Sequence, residues 1–371
     1  MAVRHEEDSL SYAELNRQAS RLAHILIRAG VSPGDRVGLF LRRSTSMVAG
    51  IFATLKAGAA YVPQDARIVP TSQLAHVAAV TEMRVILTVS DLRDRMPSSP
   101  DITIINVDDV LAEADETDEA ETRNVEYLVP PVHGGPKDAC FILFTSGTTG
   151  HPNGVEVTHE NVCNLILTAP GNLGIKPRDV VSQILNISFD MAAWEIFGAL
   201  SHGATLHIRG QSIQEAVESA NVVIATPSIL GSVDARRCHH VHTVAVAGEP
   251  CPRPLADAWS KFARFYNSCG PTEVTIVNTM HLYRTSDVHM SIGTPTPNNT
   301  VYILGPDLKP CAIGEVGEMW AGGVCVSRGY VNNEALTAER YRPDPFLGGN
   351  HRMFRTRDLG RWTSGSISPW T

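Results

Sequence analysis

The 371-residue sequence contains no Cys-x-x-Cys pair, no Gly-Lys-Ser/Thr phosphate-loop ending and no excess of basic residues. Each absence excludes something. Seven scattered cysteines, an odd number, give neither a disulfide framework nor a metal-ribbon spacing, and a reducing cytoplasm is the expected compartment. Without a lysine closing a glycine-rich loop, the ordinary kinase and GTPase classes fall away. The balance of 31 basic and 39 acidic residues, a formal net charge of -8, leaves no footprint for nucleic acid or an anionic membrane. No apolar run approaches the ~20 residues of a spanning helix, and the opening MAVRHEEDSLSY has no apolar signal core. What is present, 43% hydrophobic and 19% charged residues, suits a folded globular chain long enough for two or three packed subdomains.

Helix and strand signals alternate through the first half. Apolar Tyr12, Leu15, Ala19, Leu22 and Leu26 recur at steps of three and four, one face of a helix over 11–29. Ser11 with Glu14 reads as its capping box, and Gly30 as its end. VGLFL (37–41), AYVP (60–63), RVILTV (84–89) and ITIINV (102–107) read as strands, with a helix from about 46 to 56. Strands apolar throughout are covered on both faces, and their alternation with helices implies a parallel sheet. The acidic, then Pro- and Gly-rich stretch 108–138 reads as an exposed connector. A second α/β run, about 139–280, carries CFILF, VVSQIL, TLHIR, VVIAT and TVAVAG. From about 285, VYILG, GPDLKPCAIGE and EVGEMWAGG predict short antiparallel strands.

The strongest local signal is FILFTSGTTGHPNGVEVTH (141–159). A buried strand runs directly into Thr145, Ser146, Gly147, Thr148, Thr149 and Gly150. Glycines let backbone N–H groups approach a phosphate, and hydroxyls add donors. A polar surface turn is the plain alternative, though such a density of Ser, Thr and Gly after an apolar strand is unusual.

TSGTTGHPNGV resembles the signature loop of adenylate-forming, AMP-binding enzymes, and further blocks occur in that family's order. These are LSYAELN (10–16), LKAGAAYVPQD (55–65), SFDMAAWEIFGAL (188–200), NSCGPTEVTI (267–276), GEVGEMWAGGVCVSRGYVNNEALTAERY (314–341) and FRTRDLGRW (354–362). Together they resemble the large N-terminal subdomain of a nonribosomal peptide synthetase adenylation domain. The resemblance implies an α/β fold: two stacked Rossmann-like α/β subdomains (about 1–130 and 139–280) and a small distorted β-barrel (285–360) within 1–363. Residues 364–371 are then a cut tail, and the family's C-terminal subdomain is absent.

Roles follow from the same resemblance. ATP and Mg²⁺ are the implied cofactors. Thr145 to Gly150 would close on the β- and γ-phosphates. Glu273 would hold Mg²⁺, and Thr272 would contact the α-phosphate; both are the catalytic candidates. Gly248, Asn267, Ser268, Cys269 and Asp358 complete the nucleotide set, Asn267 toward the adenine edge and Asp358 toward the ribose hydroxyls. Taken alone, Glu273 also reads as a helix-start residue and Asp358 as a surface carboxylate. Departures from the pattern are plain: Asn153 and His151 stand where lysine is usual, Cys269 where an aromatic stacks on adenine, and Arg357 where glycine precedes the ribose aspartate.

Asp190 is the most informative single residue. In amino-acid-activating members this aspartate pairs with the substrate ammonium, and a buried carboxylate is costly without a cation. Capping of the following helix is the alternative role. The substrate lining carried over is Asp190, Met191, Trp194, Ala225, Ala245, Ala247, Ser268, Ile276 and Val277. Its small apolar walls favour a large hydrophobic or aromatic amino acid. The expected reaction is ATP-dependent formation of an aminoacyl adenylate with release of pyrophosphate. It would be impaired here, because the family's catalytic lysine belongs to the C-terminal subdomain. A peptidyl-carrier domain bearing phosphopantetheine is the implied partner, with no nucleic acid and no membrane. An acyl- or aryl-CoA ligase and a non-catalytic ATP- or amino-acid-binding remnant are the rival readings. CHHVH (238–242) reads as a surface loop rather than a zinc site, Arg328 and Tyr330 as braces, and Trp320 as core.

Overall fold

The computed structural model describes residues 1–116, 134–145 and 152–369. They fall into two compact units, residues 1–159 with 186–189, and residues 160–185 with 190–371. Among the described residues no helix is long and apolar enough to cross a membrane.

The first unit is built on strands in the order Asn153–Thr158, Ala139–Thr145, Ala60–Asp65, Arg36–Leu41, Val85–Thr88 and Thr103–Asn106. All neighbouring pairs are parallel except Asn153–Thr158 on Ala139–Thr145, which is antiparallel. The central strands are buried at nearly every position, as their unbroken apolar sequence requires. Helix Tyr12–Arg28 begins at the capping box: the Glu14 N–H donates to Ser11 Oγ at 3.2 Å, and the Ser11 N–H to Glu14 Oε2 at 2.6 Å. Its buried face is Leu15, Ala19, Leu22, Ala23 and Leu26, and Gly30 turns the chain away at φ +91°. Helix Thr45–Lys56, capped by Ser44, packs against it.

Two expectations shift here. Strands Ala139–Thr145 and Asn153–Thr158 share the first unit's sheet, so the second α/β half starts at 160 rather than 139. The acidic connector begins as a helix, Val107–Glu116. Its Asp108 and Asp109 sit in the first turn, where the helix dipole favours negative charge. The rest of that connector, 117–133, lies outside the described residues.

The second unit has a parallel core ordered Arg264–Cys269, Thr243–Val246, Val222–Ala225, Val180–Gln183 and Thr205–Ile208. Antiparallel strands Thr279–Leu282 and Thr294–Pro295 extend it beyond Arg264–Cys269. A separate antiparallel sheet runs Asn299–Leu304, Gly317–Gly323, Arg352–Trp362 and Tyr341–Pro343, with Ile367–Pro369 on the long strand. Trp320 lies in its core, 1% exposed.

Candidate active site

In an open parallel sheet, ligands bind beyond the carboxyl ends of the strands. In the second unit those ends carry the expected pocket residues. Val246 is in register with both Ala225 and Asn267. Alternation therefore puts Ala245, Ala247 and Ser268 on one face, and Ala225 on the other at the last ladder position. Ala225, Ala245 and Ala247 are buried. Ser268 is also buried, and its hydroxyl has no hydrogen-bond partner among the described residues. Gly248 follows at φ +85°; a side chain there would meet Met191 Sδ at 3.9 Å and Thr226 Cγ2 at 3.8 Å. Met191 and Gly248 are thus neighbours. Trp194 is fully buried, and its indole N–H donates to the Gly171 carbonyl at 2.7 Å, so only its ring can serve as a wall.

Asp190 opens helix Asp190–Ser201. Burial pushes its carboxyl up from 3.8 to about 6. The Thr272 hydroxyl and the Met191 N–H donate to it and oppose that rise, while the Glu273 carboxylate adds to it. It accepts from the backbone at the start of its own helix and has no cation partner among the described residues.

Glu273 sits in the short 3-10 turn Thr272–Val274 and is buried. Its Oε1 accepts from the Tyr330 hydroxyl at 2.7 Å. Its Oε2 has no donor among the described residues. The Tyr330 phenol is raised far above its ordinary value by burial and by that carboxylate, so it remains a donor at every physiological pH. The following Ile276 stands at φ +72°, with the Val277 N–H on the Thr275 carbonyl at 2.9 Å, a γ-turn centred on a β-branched residue. Such strain persists only where the surroundings over-determine it; Ile276 and Val277 are each 1% exposed. A buried carboxylate with one anchored and one open oxygen, beside a hydroxyl and a second carboxylate, fits Mg²⁺. That ion takes one or two carboxylates and completes its shell with water and phosphate oxygens.

The remaining nucleotide candidates divide. Cys269 and Asp358 line one cleft with Pro271, Asn278, Thr279 and Trp320. The Cys269 thiol is pushed up to about 12 by burial and then by the Asp358 charge, so it is an inert apolar wall. The Asp358 N–H donates to Thr356 Oγ1 at 3.0 Å, and Thr356 in turn donates to the Met319 carbonyl at 2.7 Å. Desolvation raises the Asp358 carboxyl, and the Arg340 guanidinium partly restores it. Asn267 spends its amide on the Ser291 carbonyl at 2.7 Å, inside the fold. Arg357 turns from the cleft to Glu339, Nη2 to Oε1 at 2.5 Å. It holds φ +68°, a conformation that glycine adopts without cost.

In the first unit Thr145 ends its strand and pairs with Asn153 across the antiparallel ladder. That pairing fixes both ends of the phosphate-loop candidate. Ser146, Gly147, Thr148, Thr149, Gly150 and His151 lie outside the described residues.

His239 and His240 are exposed, while His242 reaches Asp179 at 3.5 Å. Among the described residues no group of His, Cys, Asp and Glu is arranged to hold a metal on its own. Sequence reasoning missed Arg340 near Asp358, Glu195 on the strand end at 183–185, and the bond from Tyr330 to Glu273.

A family profile described as "AMP-binding enzyme" matches residues 1–331. The adenylate-forming reductase 06235 of Coprinopsis cinerea is 44% identical over 367 residues, 98% of this chain and 35% of that protein. Tyrocidine synthase 2 of Brevibacillus parabrevis is 32% identical over 97% of this chain and 10% of its own length. The chain thus spans about a third or less of these relatives. Among solved structures, the NpsA N-terminal subdomain of Klebsiella oxytoca in complex with 3-hydroxybenzoyl-AMSN superimposes with a TM-score of 0.85 at 25% identity, covering 99% of this chain and 93% of that one. The AMPPNP-bound nonribosomal peptide synthetase FmoA3 gives a TM-score of 0.88 at 27% identity, over 100% of this chain and 40% of that one.

Proposed function

The chain belongs to the AMP-binding enzyme family, and from that premise we propose that it binds MgATP and an amino acid for activation of the carboxylate as an acyl adenylate. The observation that carries the amino-acid reading is Asp190, a desolvated carboxyl with no cation partner among the described residues. Leaving such a group unmatched is costly, and a substrate ammonium supplies the missing charge. In this reading Glu273 holds Mg²⁺, Thr272 contacts the α-phosphate, and the Thr145–Gly150 loop contacts the outer phosphates. Asp358 accepts from the ribose, and Cys269 offers an apolar wall in place of a stacking ring. Ala245 and Ala247 leave room for a large hydrophobic or aromatic side chain. When bound, Mg²⁺ would neutralise phosphate charge as pyrophosphate departs. A phosphopantetheine-bearing carrier domain would receive the activated group.

A second reading concerns the later fate of that group. The Coprinopsis cinerea relatives named as reductases, at 44% identity, stand above the gramicidin and tyrocidine synthases of Brevibacillus parabrevis at 31–35%. Reduction rather than peptide formation then follows activation. Calorimetry tests the shared first step. With MgATP analogue present, phenylalanine should bind at least ~10-fold more tightly than 3-phenylpropionate, a difference of about 1.4 kcal/mol. Asp190→Asn should erase the preference. Equal binding of both acids by the unaltered chain would refute the amino-acid reading.

A further inference from the structure

We propose that Tyr330 is a positioning residue: its hydroxyl fixes the Glu273 carboxylate in the orientation that receives Mg²⁺, an inference resting on the metal-ligand reading of Glu273. The turn that carries Glu273 is strained and short, so it does not hold a side chain still unaided. Three bonds tie it to the segment 325–330. The Tyr330 hydroxyl donates to Glu273 Oε1 at 2.7 Å. The Ser327 N–H donates to the Glu273 carbonyl at 2.9 Å. The Thr275 hydroxyl donates to the Cys325 carbonyl at 2.7 Å.

The donor is itself held. Tyr330 is 8% exposed, and its ring meets Tyr341 edge-on at 5.6 Å and 79°. The Tyr341 hydroxyl shares a 2.7 Å hydrogen bond with Ser327. One carboxylate oxygen is therefore committed before any ion arrives, and the other is left to the ion. Mg²⁺ demands near-octahedral geometry, so a carboxylate already fixed loses less side-chain freedom on binding. Partners one layer behind a metal ligand commonly change metal affinity or activity by roughly 10- to 100-fold.

The test is ATP titration of the 371-residue chain by calorimetry at a series of free Mg²⁺ concentrations. Tyr330→Phe keeps the packed ring and removes only the donor. It should raise the Mg²⁺ needed for half-maximal ATP binding by roughly 10-fold or more, with full affinity regained at saturating Mg²⁺, and the lost hydrogen bond should lower the melting midpoint only modestly. Glu273→Gln should remove most of the Mg²⁺ dependence, and the double variant should go no further than Glu273→Gln. A merely structural Tyr330 would instead weaken ATP equally at every Mg²⁺ level, with no recovery at saturating Mg²⁺, which overturns the proposal. A shift with Glu273→Gln but none with Tyr330→Phe overturns the positioning role alone. No change with Glu273→Gln overturns the metal-ligand reading as well. If Tyr330→Phe does not fold, Thr275→Val cuts another tether of the same turn. It should raise the Mg²⁺ requirement by a smaller factor; no rise would overturn the proposal.

Discussion

Asp190 and Glu195 lie five positions apart on one helix and have opposite surroundings. Glu195 is fully buried, yet it is surrounded by donors. Its Oε1 accepts from the Ile184 N–H at 2.8 Å, and its Oε2 accepts from the Gln183 amide at 3.0 Å and the Leu185 N–H at 3.3 Å. It closes the end of strand Val180–Gln183, where the ladder runs out and backbone donors would otherwise be orphaned. Asp190 keeps some exposure but has the Thr272 hydroxyl and local backbone N–H groups against burial and the Glu273 charge. A carboxylate saturated with donors belongs to the architecture. One that is desolvated and short of positive charge is what the proposed ammonium role of Asp190 requires.

Breaking the saturated member should have the largest effect. Glu195→Ala removes the carboxylate that accepts from the buried Ile184 and Leu185 N–H groups and takes one of two acceptors from the Gln183 amide, each loss costing about 1–3 kcal/mol. The expected loss is about 3 kcal/mol or more, read from urea denaturation. An unaltered midpoint would show that the strand end does not depend on this side chain.

Asp190→Asn should move stability the other way. A carboxyl raised from 3.8 to about 6 in the folded state destabilises it above the lower value. At about 1.4 kcal/mol per pH unit, the penalty at pH 7 is at most about 3 kcal/mol, reduced by solvent at the half-buried residue. The variant should therefore be more stable than the parent above pH 6, with the gap closing as pH falls and vanishing below about 3.8. A gap independent of pH would contradict the assignment.

Thr272→Val gives the smallest change. Removing one hydroxyl donor should push the Asp190 carboxyl further up and cost about 1 kcal/mol near neutral pH. Denaturation at pH 4, where the carboxyl is largely protonated, should show little of that loss.

Much of the fold was legible because local chemistry and tertiary structure agree. Ser11 and Glu14 cap the helix they predict, and FILF, VVIA and TVAV are buried strands. Only the start of the acidic connector departs from its reading, as helix Val107–Glu116: its charge suggested solvent, and early aspartates also suit a helix start. Ala245, Ala247 and Ser268 were named as substrate lining from motif order alone. Their sharing of a face depends on ladder register, which no single strand reveals. Tyr330 lies 57 residues from Glu273, and nothing local marks it as that carboxylate's donor. Arg357 occupies a glycine-like backbone and pairs with Glu339, a contact set by the return of the long strand Arg352–Trp362 rather than by neighbouring sequence.

The claim that Asp190 is an ammonium receptor is tested most directly by its carboxyl ¹³C resonance, assigned with Asp190→Asn and followed through a pH titration. The free chain should titrate near pH 6, and saturation with phenylalanine and MgATP analogue should drive the transition below about 4. A transition unmoved by the amino acid would contradict the account.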